Sequence, residues 1–121
     1  SEVFFEVGKA ALSFPGRLGI QKVAVILNQI VDEIPINLNW IIRVDGHTDN
    51  TSMVSGAEFK DNWELSQARA LSVVRFMISD LGLPKTRLAA TGFGEFQPVS
   101  SGSSPDDLAQ NRRIEIKLTE K

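Results

Sequence analysis

The sequence predicts an α/β fold, an α+β sandwich in the element order β-α-β-α-β-β, with two main helices packed on one face of a mixed sheet. Three observations predict it. Period-two alternation occurs near the start, the middle and the end of the chain, apolar stripes at helical spacing lie between those runs, and Gly, Pro, Ser and Asp stand at the joints. Helices interposed between strands imply crossover connections, so part of the sheet is parallel.

Val3, Phe5 and Val7 alternate with Phe4 and Glu6, which predicts a first strand with one strongly apolar face. Ser13 and Pro15 suit a helix start. Val23, Ile26, Leu27, Ile30, Val31 and Ile34 then recur at helical spacing up to Pro35. Gly16 and Gly19 each weaken a helix by about 1 kcal/mol relative to alanine, so the expected start lies later than Pro15. Trp40, Ile42 and Val44 alternate with Ile41, Arg43 and Asp45 as a second strand, which delivers Gly46-His47-Thr48-Asp49-Asn50 at its C-terminal end.

Residues 51–60 have little periodicity and read as an exposed loop. Asp61 and Glu64 have the spacing of an N-cap and its reciprocal partner. The second helix follows with Ala70, Val73, Val74, Met77 and Leu81 as its stripe, and Gly82 and Pro84 as its stop. Residues 88–93 predict a third strand and residues 94–107 a loop rich in Gly, Ser and Pro. Ile114, Ile116 and Leu118 alternate with Arg113, Glu115 and Lys117 as a final strand with one wet face.

At 121 residues and 42% hydrophobic, the chain is expected to form a single domain over residues 1–121. Its 13 basic and 15 acidic residues nearly balance, so no broad field draws it to nucleic acid or an anionic membrane. Any anion it recognises must be met by local groups. With no cysteine, disulfides and thiolate metal sites are excluded. The apolar stretch 23–34 is broken by Asn28, Gln29, Asp32 and Glu33 and cannot span a bilayer. Because Ser1 opens straight into a strand-like run, the chain is expected to be a mature or excised fragment of something longer.

Asp45, His47, Thr48, Asp49, Asn50 and Thr51 form the densest polar group, and they stand where a strand gives way to a loop, a place ligands favour in α/β sheets. One histidine with no second ligand pair leaves a metal site short of donors, so no metal and no cofactor is expected. Ser52 and Ser55 lie in a loose loop without a nucleophile elbow, which argues against an enzyme. His47 reads as a structural histidine bonding loop backbone or, alternatively, as a ligand contact.

Arg69 follows Asn62, Leu65 and Ser66 along one side of the second helix. Helical side chains lean toward the N-terminus, so Arg69 reaches back toward the loop that carries Asp49. A solvated arginine is the alternative, made less apt by Leu65, Ala68 and Ala70 around it. Gly92-Phe93-Gly94-Glu95 reads as a turn rather than a phosphate loop. In Asn111-Arg112-Arg113, Arg113 is expected to face solvent, while Arg112 either ends the loop or borders the same cleft.

These segments together resemble the OmpA-like, MotB-like peptidoglycan-binding domain. The resemblance runs through Asp45-Gly46-His47-Thr48-Asp49-Asn50, through Asn62-Trp63-Glu64-Leu65-Ser66 with Arg69-Ala70, through Gly92-Phe93-Gly94-Glu95 with Pro98, and through Asn111-Arg112-Arg113-Ile114-Glu115. It covers nearly the whole chain, and the Asn-Trp-Glu-Leu-Ser segment is closest to the flagellar stator branch. It implies an OmpA-like fold and non-catalytic binding of the peptidoglycan stem peptide at its meso-diaminopimelate residue. Asp49 would meet the ammonium and Arg69 the carboxylate, with Thr48, Thr51, Asn62, Leu65, Asn111 and Arg112 completing the pocket.

The resemblance further implies a periplasmic domain of an inner-membrane-anchored protein in a Gram-negative bacterium. Its parent would have an ion-channel partner in that membrane, a flagellar-type stator and possible homodimer, and would anchor the complex to the wall. In one departure, Leu108 stands where many members carry arginine, so binding is expected to be weaker or differently aimed. In another, the loop between Asp49 and Arg69 is longer than in OmpA itself. The alternative reading is a protein-interaction or dimerisation module on the same scaffold, working through that loop and residues 94–107.

Overall fold

The computed structural model describes residues 4–5, 8–53 and 57–121. Among them the order is α1 (Phe14–Val31), β1 (Trp40–His47), α2 (Asn62–Ser79), β2 (Leu88–Gly92), α3 (Pro105–Asn111) and β3 (Arg113–Glu120), with a 3-10 turn at Lys85–Arg87 before β2. The sheet is mixed, in the order β2-β1-β3. β1 runs parallel to β2 and antiparallel to β3. The parallel pair is the one joined through α2, as a crossover connection requires.

The expected first strand lies largely outside the described residues. Of it, Phe5 forms an isolated antiparallel bridge with Leu12. α1 starts at Phe14, earlier than the glycines suggested, because the Ser13 side chain caps it by accepting the N–H of Gly16 at 3.1 Å. The two glycines have a packing reason: a Cβ at Gly16 would come within 2.9 Å of the Phe4 carbonyl oxygen, and one at Gly19 within 2.9 Å of the Phe4 ring. That close approach turns the small face of α1 inward. Gly16, Ile20, Ala24 and Leu27 are buried, whereas Ile26 and Ile30 of the expected stripe are exposed.

α2 follows its pattern closely. Asp61 accepts the N–H of Glu64 at 2.9 Å, and Glu64 reaches back to the N–H of Lys60 rather than to that of Asp61. Ala70, Val73, Val74 and Met77 are buried with Ile42 and Val44 of β1 and with Ile20, Ala24 and Leu27 of α1, so both long helices share one core on one face of the sheet. At the end of α2, Gly82 takes φ of +73° and the N–H of Leu83 reaches the Met77 carbonyl at 3.0 Å.

Gly46 and Gly92 are partners in the β1–β2 register, and α2 begins directly on top of them. A Cβ on Gly46 would lie 2.2 Å from the Ser66 carbonyl oxygen, and one on Gly92 would lie 2.5 Å from the Gln67 nitrogen. Only glycine lets the helix sit this close to the strand ends. The short helix α3 replaces part of the expected 94–107 loop. Ser104 caps it, Pro105 opens it, and Asp107 closes a reciprocal box with Ser104.

Candidate functional site

The strand end of β1, the first two turns of α2 and the start of β3 meet at one cleft of about 340 Å³. Its lining includes Thr48, Asp49, Thr51, Asn62, Leu65, Arg69 and Arg112, with Gly8, Ser52, Met53 and Ala57 closing the sides. Seven of the eight residues singled out from the sequence are therefore brought together. The long loop contributes a wall of this cleft through Ser52, Met53 and Ala57.

Each polar group is held. The Asp49 carboxylate accepts the N–H of Thr51 at 2.9 Å and is paired with the guanidinium of Arg112. The Thr48 hydroxyl donates to the Asp49 carbonyl at 2.8 Å. Asn62, buried at the start of α2, donates to the carbonyls of Asp49 and Thr51 and to Glu95 Oε1, at 3.3, 3.0 and 3.2 Å, tying the loop after β1 to the turn after β2. Leu65 is buried and supplies an apolar wall.

Arg69 is almost entirely buried, not solvated. Its Nε donates to the Lys9 carbonyl at 2.8 Å and its guanidinium lies 4.9 Å from the centre of the Phe5 ring. Burial first and the nearby Arg112 second lower its pKa, against the opposing pull of Asp49, to about 10. It stays protonated at neutral pH. For Asp49, burial favours the neutral acid, but the Thr51 N–H, the Arg112 guanidinium and the Thr51 hydroxyl outweigh it and hold the carboxyl below its usual range. Among the described residues, the cleft lining holds one carboxylate, Asp49, and two guanidinium groups, Arg69 and Arg112.

The remaining predicted residue, Asn111, is buried outside this lining. Its Oδ1 accepts the N–H groups of Val99 and Ser100 at 2.8 and 3.0 Å, and its Nδ2 donates to the Ser100 carbonyl at 2.9 Å. It pins the loop after β2 and borders a smaller cavity of about 100 Å³ with Asn50, Glu95 and Leu108.

The polar cluster around His47 is divided by the strand alternation. Asp45 is fully buried on the sheet face opposite the helices, where it accepts two bonds from Arg43 at 2.8 and 2.9 Å. His47 does not bond loop backbone as expected. Neither ring nitrogen has a hydrogen-bond partner among the described residues; the ring stacks on Phe93 at 5.0 Å, and Nε2 stands 3.9 Å from Glu115. Arg113, expected in solvent, instead bonds Glu115 at 2.5 Å and the Gln97 carbonyl at 2.8 Å.

Nothing in the sequence pointed to Gly8, Met53 and Ala57 in the cleft lining, or to Phe5 and Lys9, which hold Arg69 from behind it. Phe5 carried the signal of an apolar strand face only, and a backbone carbonyl such as that of Lys9 leaves no signal in side-chain types.

Residues 4–112 match the family model described as the OmpA family. The chain is 32% identical over 114 residues to motility protein B of Bacillus subtilis, covering 94% of this chain and 41% of that protein. It is 33% identical over 91 residues to the peptidoglycan-binding protein ArfA of Mycobacterium tuberculosis, covering 75% and 26%. The periplasmic domain of Helicobacter pylori MotB superposes with a TM-score of 0.80 at 27% identity, over 99% of this chain and 78% of that one. The chain spans less than half the length of these two curated relatives.

Proposed function

Since the chain belongs to the OmpA family, we propose that it is a non-catalytic wall-binding domain whose cleft takes the stem peptide of peptidoglycan at a diaminopimelate residue. The single observation that carries this is the convergence of buried Asp49 and Arg69 with Arg112 on one cleft. A free diaminopimelate end bears an ammonium and a carboxylate on one carbon. Its carboxylate suits the planar guanidinium of Arg69, which can donate two parallel bonds, and its ammonium suits Asp49.

The Asp49–Arg112 pair refines the clamp. The ammonium would share Asp49 with Arg112, and the ligand carboxylate would meet Arg69. Thr48, Thr51 and Asn62 set the loop geometry, Leu65 packs against the ligand's methylenes, and Asn111 acts at one remove by fixing the neighbouring loop. Support for wall binding comes from a relative named as a peptidoglycan-binding protein.

Sedimentation with purified sacculi tests the site. Asp49→Ala and Arg69→Ala should each cost about 2–5 kcal/mol of binding if the pair is desolvated. Variants that sediment as the parent does would refute the clamp.

The likeness to motility protein B and to a MotB periplasmic domain supports a finer reading. On this reading the domain is periplasmic, and its parent is an inner-membrane-anchored, stator-type protein that pairs with itself and with an ion-channel subunit. Grafting the chain in place of the matching segment of Bacillus subtilis motility protein B should preserve swimming. A chimera that is membrane-localised, binds sacculi and yet is immotile would argue for general envelope anchoring instead.

A further inference from the structure

Beside the cleft, Trp63 and Phe96 stand more than half exposed, at 57% and 56%, with ring centroids 4.8 Å apart and planes tilted by 45°. Large rings left in water at one place mark a contact surface. The pair is firmly mounted. Gly94, at φ of +65°, passes so close under the indole that a Cβ there would meet Trp63 Cδ1 at 2.9 Å. The Gly94 N–H donates to the Ser66 hydroxyl at 2.9 Å, and its carbonyl accepts the N–H of Thr48 at 2.9 Å. A shallow groove continues from Trp63 along α2 over Phe59, Gln67, Ala68 and Leu71.

This surface is continuous with the cleft. Asn62 and Glu95, joined at 3.2 Å, immediately precede Trp63 and Phe96, so one hydrogen bond separates the peptide pocket from the aromatic pair. Along α2, Trp63 and Arg69 are separated by about 9 Å of helical rise and by about a third of a turn around the axis. An extended stem of three residues reaches about 10 Å. A stem peptide seated at Arg69 and running past Asn62 would carry the sugar that bears it toward Trp63.

We propose that Trp63 and Phe96 are a stacking platform for a pyranose ring of the peptidoglycan glycan strand, a reading that rests on the wall-binding function above. A β-linked pyranose presents a face of axial C–H groups, and the electron-rich face of an aromatic ring attracts them. Both partners are rigid, so little conformational freedom is lost on contact. The sugar's equatorial hydroxyls would point outward to water or toward Gln67, which lines the groove.

The test uses three probes: intact sacculi, glycan strands freed of peptide by an amidase, and a free stem tripeptide ending in diaminopimelate. The chain has two tryptophans, and Trp40 is buried, so a blue shift of indole emission on adding denuded glycan reports Trp63. We expect that shift. We also expect Trp63→Ala to weaken sacculus binding about tenfold while the tripeptide binds unchanged, and Trp63→Phe to restore most of the loss.

No emission change with denuded glycan would overturn the platform. So would a Trp63→Ala variant that retains glycan and sacculi as the parent does, which would leave a protein partner as the reading of this patch. A tripeptide that fails to bind the parent while denuded glycan still shifts Trp63 would count against the cleft alone.

Discussion

Asp49 and Arg112, 63 positions apart in the chain, form an ion pair at the floor of the cleft, and Arg69 lies beside them anchored to the Lys9 carbonyl. The carboxylate is therefore tuned by Arg112 before any ligand arrives. Replacing Arg112 by Gln should raise the Asp49 pKa, whereas Arg69→Gln should move it much less, because Arg112 and Thr51 are the groups that hold it down. Carboxyl NMR titration reads this directly. An Asp49 that titrates identically in the parent and in Arg112→Gln would mean that the pair does not exist in solution.

Asp49→Asn removes the only carboxylate among the described residues of the cleft lining and takes away what offsets the repulsion between Arg69 and Arg112. Breaking a partly buried pair in this way should cost about 2 kcal/mol of stability at pH 7. The linkage sign follows from the lowered Asp49 pKa. Its contribution is present above the unfolded carboxyl range near pH 4 and is lost as pH falls through the folded value. Urea unfolding at pH 7 and pH 3 should show the two proteins apart at the higher pH and converging at the lower.

His47 offers a second, separable pH dependence. Burial lowers its pKa and Arg113 adds to that, while Glu115 and Asp45 oppose and Lys117 reinforces. A depressed histidine pKa means that the unfolded chain binds the extra proton. Stability should then be full above about pH 6.5 and fall as pH drops below it toward the folded value. His47→Phe keeps the stacking on Phe93 but cannot charge, so its urea midpoint should stay flatter between pH 7.5 and about 5.5. A parent protein with the same flat profile would sink the assignment.

The parts of this fold carried by local patterns were legible in the sequence. The Asp61 cap, the α2 stripe and the β1 alternation depend on neighbours within one turn or one pleat. Asp49 and Arg69 were legible too, since a strand end and a leaning helix side chain fix their directions.

What was hidden depends on distant partners. The inward face of α1 is set by Phe4 lying on Gly16 and Gly19, which turns Ile26 and Ile30 outward. The ring of His47 packs on Phe93 while neither nitrogen has a hydrogen bond among the described residues, and Arg113 finds Gln97 across a loop. The helix α3 is a different case. Its box of Ser104 and Asp107 with Pro105 stood in the sequence, but a seven-residue helix is too short to build an apolar period, and its Gly- and Ser-rich surroundings read as loop.

Asn111 is expected to act on binding through the loop it pins. Asn111→Ala leaves the N–H groups of Val99 and Ser100 and the Ser100 carbonyl without their side-chain partner. The cost should be about 1–3 kcal/mol. The readout that separates this from a ligand contact is amide exchange in the free protein: Val99 and Ser100 should exchange much faster in the variant without any ligand present. Unchanged protection there, with lost sacculus binding, would instead make Asn111 a direct contact.

Gly46→Ala tests the seat of α2, and with it the geometry of the whole site. The added methyl would stand 2.2 Å from the Ser66 carbonyl oxygen, a backbone atom that cannot rotate aside. α2 must lift from the strand ends, carrying Asn62, Leu65 and Arg69 away from Asp49. The stability cost should be about 3 kcal/mol, at the upper end for overpacking. Surface substitution at Gln110, exposed on α3, provides the neutral comparison. If Gly46→Ala melts within a degree or two of the parent and binds sacculi equally well, the close contact between α2 and β1 is not what aligns the cleft.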